Sequence, residues 1–171
     1  RAFSFIENRF GFLPKFVFIC SPRSGSCFIS ALLTANGIPC GHESHFRADG
    51  VKRRLFLEGD SSWLAVPHLY ERNHNIIKIH IVRHPIDVVK SLVGTGFFSS
   101  DLSPFGLFMR KYFTCTGDDI EDAIRWYVYW NEWCEKLTLK RFKVEDIYNQ
   151  IAEILVEIGY AKNIANFDST K

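Results

Sequence analysis

Residues 15–20 (KFVFIC) form a nearly unbroken run of strand-forming side chains, cut off by Ser-Pro-Arg-Ser-Gly-Ser, which opens directly into a helical pattern. A strand without polar alternation has both faces covered, the situation of a strand inside a parallel sheet. Phe28, Ile29, Leu32 and Leu33 then follow at helical spacing as far as Asn36-Gly37, two residues that tolerate positive φ and end helices readily. Few architectures accommodate strand, glycine-containing polar loop and helix in that order.

The remaining pattern extends the same theme. Residues 38–43 hold a second short strand, and residues 49–57 and 61–70 read as short helices. Residues 76–82 (IIKIHIV) are the second clear strand. It stops at Arg83-His84, where Pro85 sits in the first-turn position that helices favour, giving a helix to about residue 93. Residues 94–117 mix Gly, Pro, Ser and Phe and read as a long loop or lid. Residues 118–137 are the strongest helix, acidic in the first turn as the helix dipole prefers, with Ile124, Tyr127, Val128 and Trp130 between polar positions. Residues 141–144 suit an edge strand, and 145–158 a last amphipathic helix stopped by Gly159. Alternating strands and helices predict an α/β fold: one domain over residues 1–171, a three-layer parallel sheet flanked by helices.

Bulk properties narrow the function classes. With 47% hydrophobic and 23% charged residues in 171, the chain is globular and has a core for one domain rather than two. A net charge of +2 gives no reason to expect nucleic acid as a partner. No apolar run approaches the roughly 18 residues of a membrane span. Cys20, Cys27, Cys40, Cys115 and Cys134 are odd in number and contain no C-x-x-C pair, which favours reduced thiols and a cytoplasmic location over a disulfide framework. No signal peptide is visible, although the chain begins at Arg1 without a methionine.

The first loop has the makings of an anion site. Amides at a helix start lack partners within the helix and point outward together. Ser24 and Ser26 add hydroxyls, Gly25 allows close backbone approach, and Arg23 adds a planar fork of donors. On this loop alone, an ordinary polar turn is the competing reading. The Walker pattern G-x-x-x-x-G-K-[ST] is absent, which disfavours an ordinary ATP- or GTP-hydrolysing enzyme. Cys20 precedes Arg23 by only three residues, too close for a cysteine-phosphatase cradle, and reads as a strand-end core residue. Arg83 closes the second strong strand, with Ser91 eight residues on in the following helix. Ligands of open parallel sheets collect at the carboxyl ends of the strands, so Arg23 and Arg83 are expected on one rim, suited to two separated phosphates.

Taken together, these segments resemble the sulfotransferase family. F18-I19-C20-S21-P22-R23-S24-G25-S26-C27-F28 is similar to that family's 5′-phosphosulfate loop, and I81-V82-R83-H84-P85-I86-D87-V88-V89-K90-S91-L92 to its 3′-phosphate motif, including the Arg-to-Ser spacing. W126-Y127-V128-Y129-W130-N131 and F142-K143-V144-E145-D146-I147 resemble the later helix and "EDL" segment of many members. The likeness covers most of residues 15–158. It implies a P-loop NTPase-like sulfotransferase fold and 3′-phosphoadenosine 5′-phosphosulfate as co-substrate, with adenosine 3′,5′-bisphosphate as product and no metal. It implies that Arg23 contacts the 5′-phosphosulfate and steadies the leaving oxygen. Ser24, Gly25, Ser26 and Cys27 would line the 5′ side, Phe28 would lie against adenine, and Arg83 and Ser91 would bind the 3′-phosphate. Cys27 stands where Thr or Ser is usual. The C-terminal Arg-x-Gly stretch of the cytosolic branch is not recognisable, and the chain is short for the family, which implies a reduced acceptor region.

The acceptor, a small molecule or glycan, needs a general base. Many relatives of the cytosolic type place a histidine after a Lys-Thr pair, and no such segment is evident here. Gly41-His42-Glu43 is similar to a segment of bacterial and marine members, and it offers Glu43 as first choice for the base with His42 beside it. Ser62-Trp63 is a candidate wall of the acceptor pocket. His42-x-x-His45 lacks the partners of a familiar zinc spacing, so no metal site is expected. Trp126, Trp130 and Trp133 read as core packing, and Lys52-Arg53-Arg54 as a solvated face that can steer an anion. The expected activity is sulfuryl transfer to a hydroxyl or amine. A non-catalytic nucleotide-binding module of the same fold and an atypical P-loop kinase are the alternatives. The sequence leaves the oligomeric state open.

Overall fold

The structure is a computed structural model and describes residues 13–72, 75–99 and 103–168. Among these residues, five strands make one all-parallel sheet: β1 (Phe16–Cys20), β2 (Cys40–His42), β5 (Gly59–Ser61), β6 (Ile77–Val82) and β7 (Arg141–Lys143). Their spatial order is β2-β5-β1-β6-β7. A separate antiparallel pair joins β3 (Phe46–Arg47) to β4 (Gly50–Val51). The helices are α1 (Ser26–Ala35), α2 (Ala65–Glu71), α3 (Pro85–Gly94), α4 (Pro104–Arg110), α5 (Asp119–Glu135) and α6 (Ile147–Glu157). None of them is long and apolar enough to cross a membrane.

Every residue of β1 is fully buried, as its unbroken apolar run requires, and α1, α2 and α5 all contact it. The chain leaves β1 through α1 to build one side of the sheet, β2 and then β5, before β6 takes the other side of β1. Strand order therefore reverses at β1. The loops leaving the carboxyl ends of β1 and β6 emerge there side by side, at the rim where open α/β sheets bind ligands.

An aromatic cluster clamps α5 to the rest of the fold. Trp126 and Trp130, one turn apart, stack with ring centres 4.3 Å apart, and Trp63 meets both of them edge-on from the corner before α2. Each such pair contributes about 0.5–1.5 kcal/mol beyond its burial. The helix starts where the Asp118 carboxylate accepts the amides of Ile120 and Glu121. Its buried face is Ala123, Trp126, Trp130 and Cys134, whereas Ile124 and Val128 stand half-exposed, off the core face the sequence pattern gave them.

Three sequence-based assignments need correction. Residues 49–57 are not helical: Gly50, at φ +120°, turns the chain into the β3–β4 hairpin. The pattern over 61–70 divides into the end of β5 and a helix that begins only at Ala65. β5 is the interior strand the sequence hides, because Gly59-Asp60-Ser61 contains no apolar side chain. A Cβ at residue 59 would lie inside the Phe16 ring, so the absence of a side chain is what admits the strand. The long loop of residues 94–117 contains α4, announced by a Ser103-Pro104 start in which the Ser103 hydroxyl accepts the Gly106 amide.

Candidate functional site

The site is built where β1 and β6 end side by side, with Cys20 opposite Ile81 in the parallel register. Gly25, at φ +94°, turns the β1 loop into α1, and no side chain caps that helix start. No acidic residue lies in its first turn either, so the helix's own side chains offer its outward amides and positive dipole end no carboxylate. A side chain at residue 25 would come within 2.7 Å of the Val144 Cγ2 methyl. Arg23 sits just before at φ +69°, a left-handed conformation costing a non-glycine residue about 1–2 kcal/mol.

Arg23 and Arg83 come together as the rim argument anticipated. Arg23 Nε donates to Ser91 Oγ at 2.8 Å, and Arg83 Nη1 donates to the Arg23 carbonyl at 3.1 Å. Neither guanidinium has a carboxylate within 4 Å among the described residues. The Arg83 backbone is held from two sides: Tyr127 on α5 donates its hydroxyl to the Arg83 carbonyl at 3.0 Å, and Glu145 accepts the His84 amide at 2.7 Å. The turn at residues 144–145 thus braces both loops, Val144 packing at Gly25 and Glu145 holding His84.

A cleft of about 560 Å³ runs over this rim, in the size range of small-ligand sites. Arg23, Gly25, Ser26, Cys27, Phe28 and Arg83 line one part of it, and His42, Glu43, Trp63 and Phe105 another. Cys27 is exposed, and Phe28, also exposed, meets Tyr148 edge-on at 5.9 Å. Ser24 does not line the cleft: its hydroxyl is fully buried and has no hydrogen-bond partner. Ser91 reaches the site through Arg23.

β2 lies two strands away from β1, yet its end is drawn to the same cleft because α1 crosses β5 to pack on β2. The Ser26 hydroxyl lies 3.0 Å from His42 Nε2, and that nitrogen is 3.7 Å from Glu43 Oε1. Burial pushes the Glu43 carboxyl above its ordinary value. His42 and a contact from the Trp63 indole pull it back, and the Asp60 charge adds to the rise. Glu43 also holds a positive φ of 49°. Its position is fixed from below by Asp60, whose buried carboxylate accepts the amides of Ser44, His45 and Phe46, each at 3.0 Å. Nothing in the pattern around residue 60 signalled that role. Tyr127 and Glu145 fall in segments the resemblance had marked, but their task of holding the Arg83 loop was not legible.

Cys20 is core, as its place at the strand end suggested: burial pushes its thiol up to about 12, which removes it as a nucleophile. Trp63 serves both as core and as cleft wall. A larger hollow of about 620 Å³ adjoins the site at Arg83, lined by four carboxylates (Glu132, Glu135, Glu145 and Asp146) against the cations of Arg83, Arg141 and Lys143, so it offers a polyanion no net positive surface. A scan against protein-family models and a search of curated proteins find no match to this chain.

Proposed function

We propose that the protein is a sulfotransferase that moves a sulfuryl group from 3′-phosphoadenosine 5′-phosphosulfate to a hydroxyl or amine. The observation that carries this reading is the pair Arg23 and Arg83, neither paired with a carboxylate among the described residues, joined by a hydrogen bond from the Arg83 guanidinium to the Arg23 backbone carbonyl at adjacent strand ends beside an uncapped helix start. Each guanidinium lacks a carboxylate partner among the described residues, and a donor charged at both its 5′ and 3′ ends supplies an anion for each. Arg23, held by Ser91, and the α1 amides suit the phosphosulfate, Arg83 suits the 3′-phosphate, and exposed Phe28 offers a face for the base. Glu43 is the only carboxylate on the described cleft wall, and no lysine lines it, a poor match to a Mg²⁺-nucleotide site.

In the transfer step the acceptor oxygen bonds to sulfur as the sulfur–oxygen bond to the 5′-phosphate breaks. The electron pair stays on the phosphate, where Arg23 and the helix start stabilise it, and the acceptor proton passes to Glu43. A carboxyl raised by burial is a stronger base than an exposed one, and His42 beside it stabilises the charged form before the step. Calorimetry with adenosine 3′,5′-bisphosphate and with ATP plus Mg²⁺ tests the reading. The bisphosphate is expected to bind without metal and more tightly; preferential, Mg²⁺-dependent binding of ATP overturns it.

A further inference from the structure

A hollow of about 440 Å³ opens off the cleft and shares His42, Glu43 and Phe105 with it, so whatever occupies it meets the proposed base directly. Its other polar lining comes mainly from the β3–β4 hairpin and the segment after it: Arg47, Asp49 and Arg54. The charges there do not balance. Asp49 is shared, with Lys52 Nζ at 3.0 Å from one oxygen and Arg47 Nε at 3.6 Å from the other. Arg54 spends its Nε on the Ser44 carbonyl at 3.4 Å and has no carboxylate within 4 Å among the described residues, which leaves the outer edge of its guanidinium for a ligand. Leu64 and Phe105 supply apolar walls. The hollow therefore joins a general base, apolar surface for a ring and, on its hairpin side, more guanidinium than carboxylate, three features that together describe a charged acceptor.

We infer that the acceptor carries an anionic group, a carboxylate or a sulfate ester, which Arg47 and Arg54 hold while Glu43 faces the hydroxyl to be sulfated. This rests on the sulfotransferase reading and adds the substrate class to it. A neutral sugar placed in the same hollow leaves the guanidinium donors partly desolvated and unpaired, whereas an anion makes charge-assisted, bidentate contacts with them. The hairpin turn at Gly50 is what brings Arg47 and Asp49 to the mouth, so the selectivity belongs to a segment outside the donor loops.

The test uses the whole chain saturated with adenosine 3′,5′-bisphosphate and three sugars that share one aglycone: p-nitrophenyl β-D-glucuronide, the neutral glucoside, and the glucoside 6-sulfate. Titration calorimetry is expected to show at least one charged sugar binding about tenfold or more tighter than the glucoside. The stronger of the two identifies the anion as carboxylate or sulfate ester. Arg54→Gln and Arg47→Gln, at exposed positions, are expected to bring that sugar down to the level of the glucoside while leaving bisphosphate affinity within about twofold, because neither touches the donor loops. If the bisphosphate binds but the charged sugars bind no better than the glucoside, the acceptor inference is overturned and the donor reading stands. If the bisphosphate itself does not bind, the donor reading falls and takes the inference with it. The three-sugar comparison on the unmodified protein decides the matter even should a variant fold poorly.

Discussion

Replacing Arg83 by alanine removes one contact that the structure shows and, on the proposed reading, a second that only a phosphorylated ligand makes. One is the Nη1 bond to the Arg23 carbonyl at 3.1 Å, which steadies the first loop whatever ligand is present. A neutral-acceptor hydrogen bond of this kind is worth about 0.5–1.5 kcal/mol. The second, which follows from the proposed function, is a charge-assisted contact to a 3′-phosphate, worth about 1.5–3 kcal/mol, which only a ligand bearing that phosphate feels. Adenosine 5′-phosphate should thus weaken roughly 2- to 10-fold, and adenosine 3′,5′-bisphosphate by a further ~10- to 150-fold. Calorimetry of both ligands on both proteins gives the four affinities, with ionic strength held constant because exposed charges are screened. Arg83→Lys keeps the charge but loses the planar fork and is expected to fall between the two. Equal losses for the two ligands would show that Arg83 acts only through the loop, and the 3′-phosphate assignment would be refuted.

Three further outcomes are expected. Gly25→Ala should destabilise the fold by about 1–3 kcal/mol in urea melts, from the positive φ and the Val144 methyl together, and Val144→Ala in that background should restore only the steric part; full restoration would mean that the backbone carries no strain. Because burial raises the Glu43 carboxyl, the folded state binds its proton more tightly than the unfolded chain does, so stability drops as pH rises through the window above the ordinary 4.5 and the penalty persists at neutrality. Glu43→Gln should therefore melt higher than the parent at pH 7, with the gap closing toward about pH 4, and should lose sulfuryl transfer; a gap independent of pH contradicts the burial argument. Asp60→Asn cannot accept all three amides with one oxygen facing them and should cost about 2–4 kcal/mol by denaturant titration, with the loss of transfer exceeding the loss of donor affinity; a cost under about 1 kcal/mol would show that the loop is held by something else.

The parallel sheet and the meeting of the Arg23 and Arg83 loops on its rim were legible in the sequence, and for one reason. Burial writes itself as an apolar run, unbroken at Phe16–Cys20 and interrupted by Lys78 and His80 at Ile77–Val82, and the turn residues after each run mark where the backbone amides and arginines emerge. Where a strand is admitted by shape instead of by hydrophobicity, the pattern is silent: β5 enters the sheet because Gly59 has no side chain and because Asp60 finds three amides, neither of which leaves a periodic trace. Helix α4 was missed although its Ser-Pro start was present, since a short helix among Gly and Phe lacks a clear repeat. Only the tertiary structure decided that residues 144–145 brace both loops, that Ser24 is buried, and that β2, two strands away, delivers His42 and Glu43 to the cleft. Those placements depend on which elements pack together across long stretches of chain. Side-chain type fixes what a residue is able to do locally, whereas its partner is fixed by the crossing of α1 over the sheet and by the docking of α5 through Tyr127.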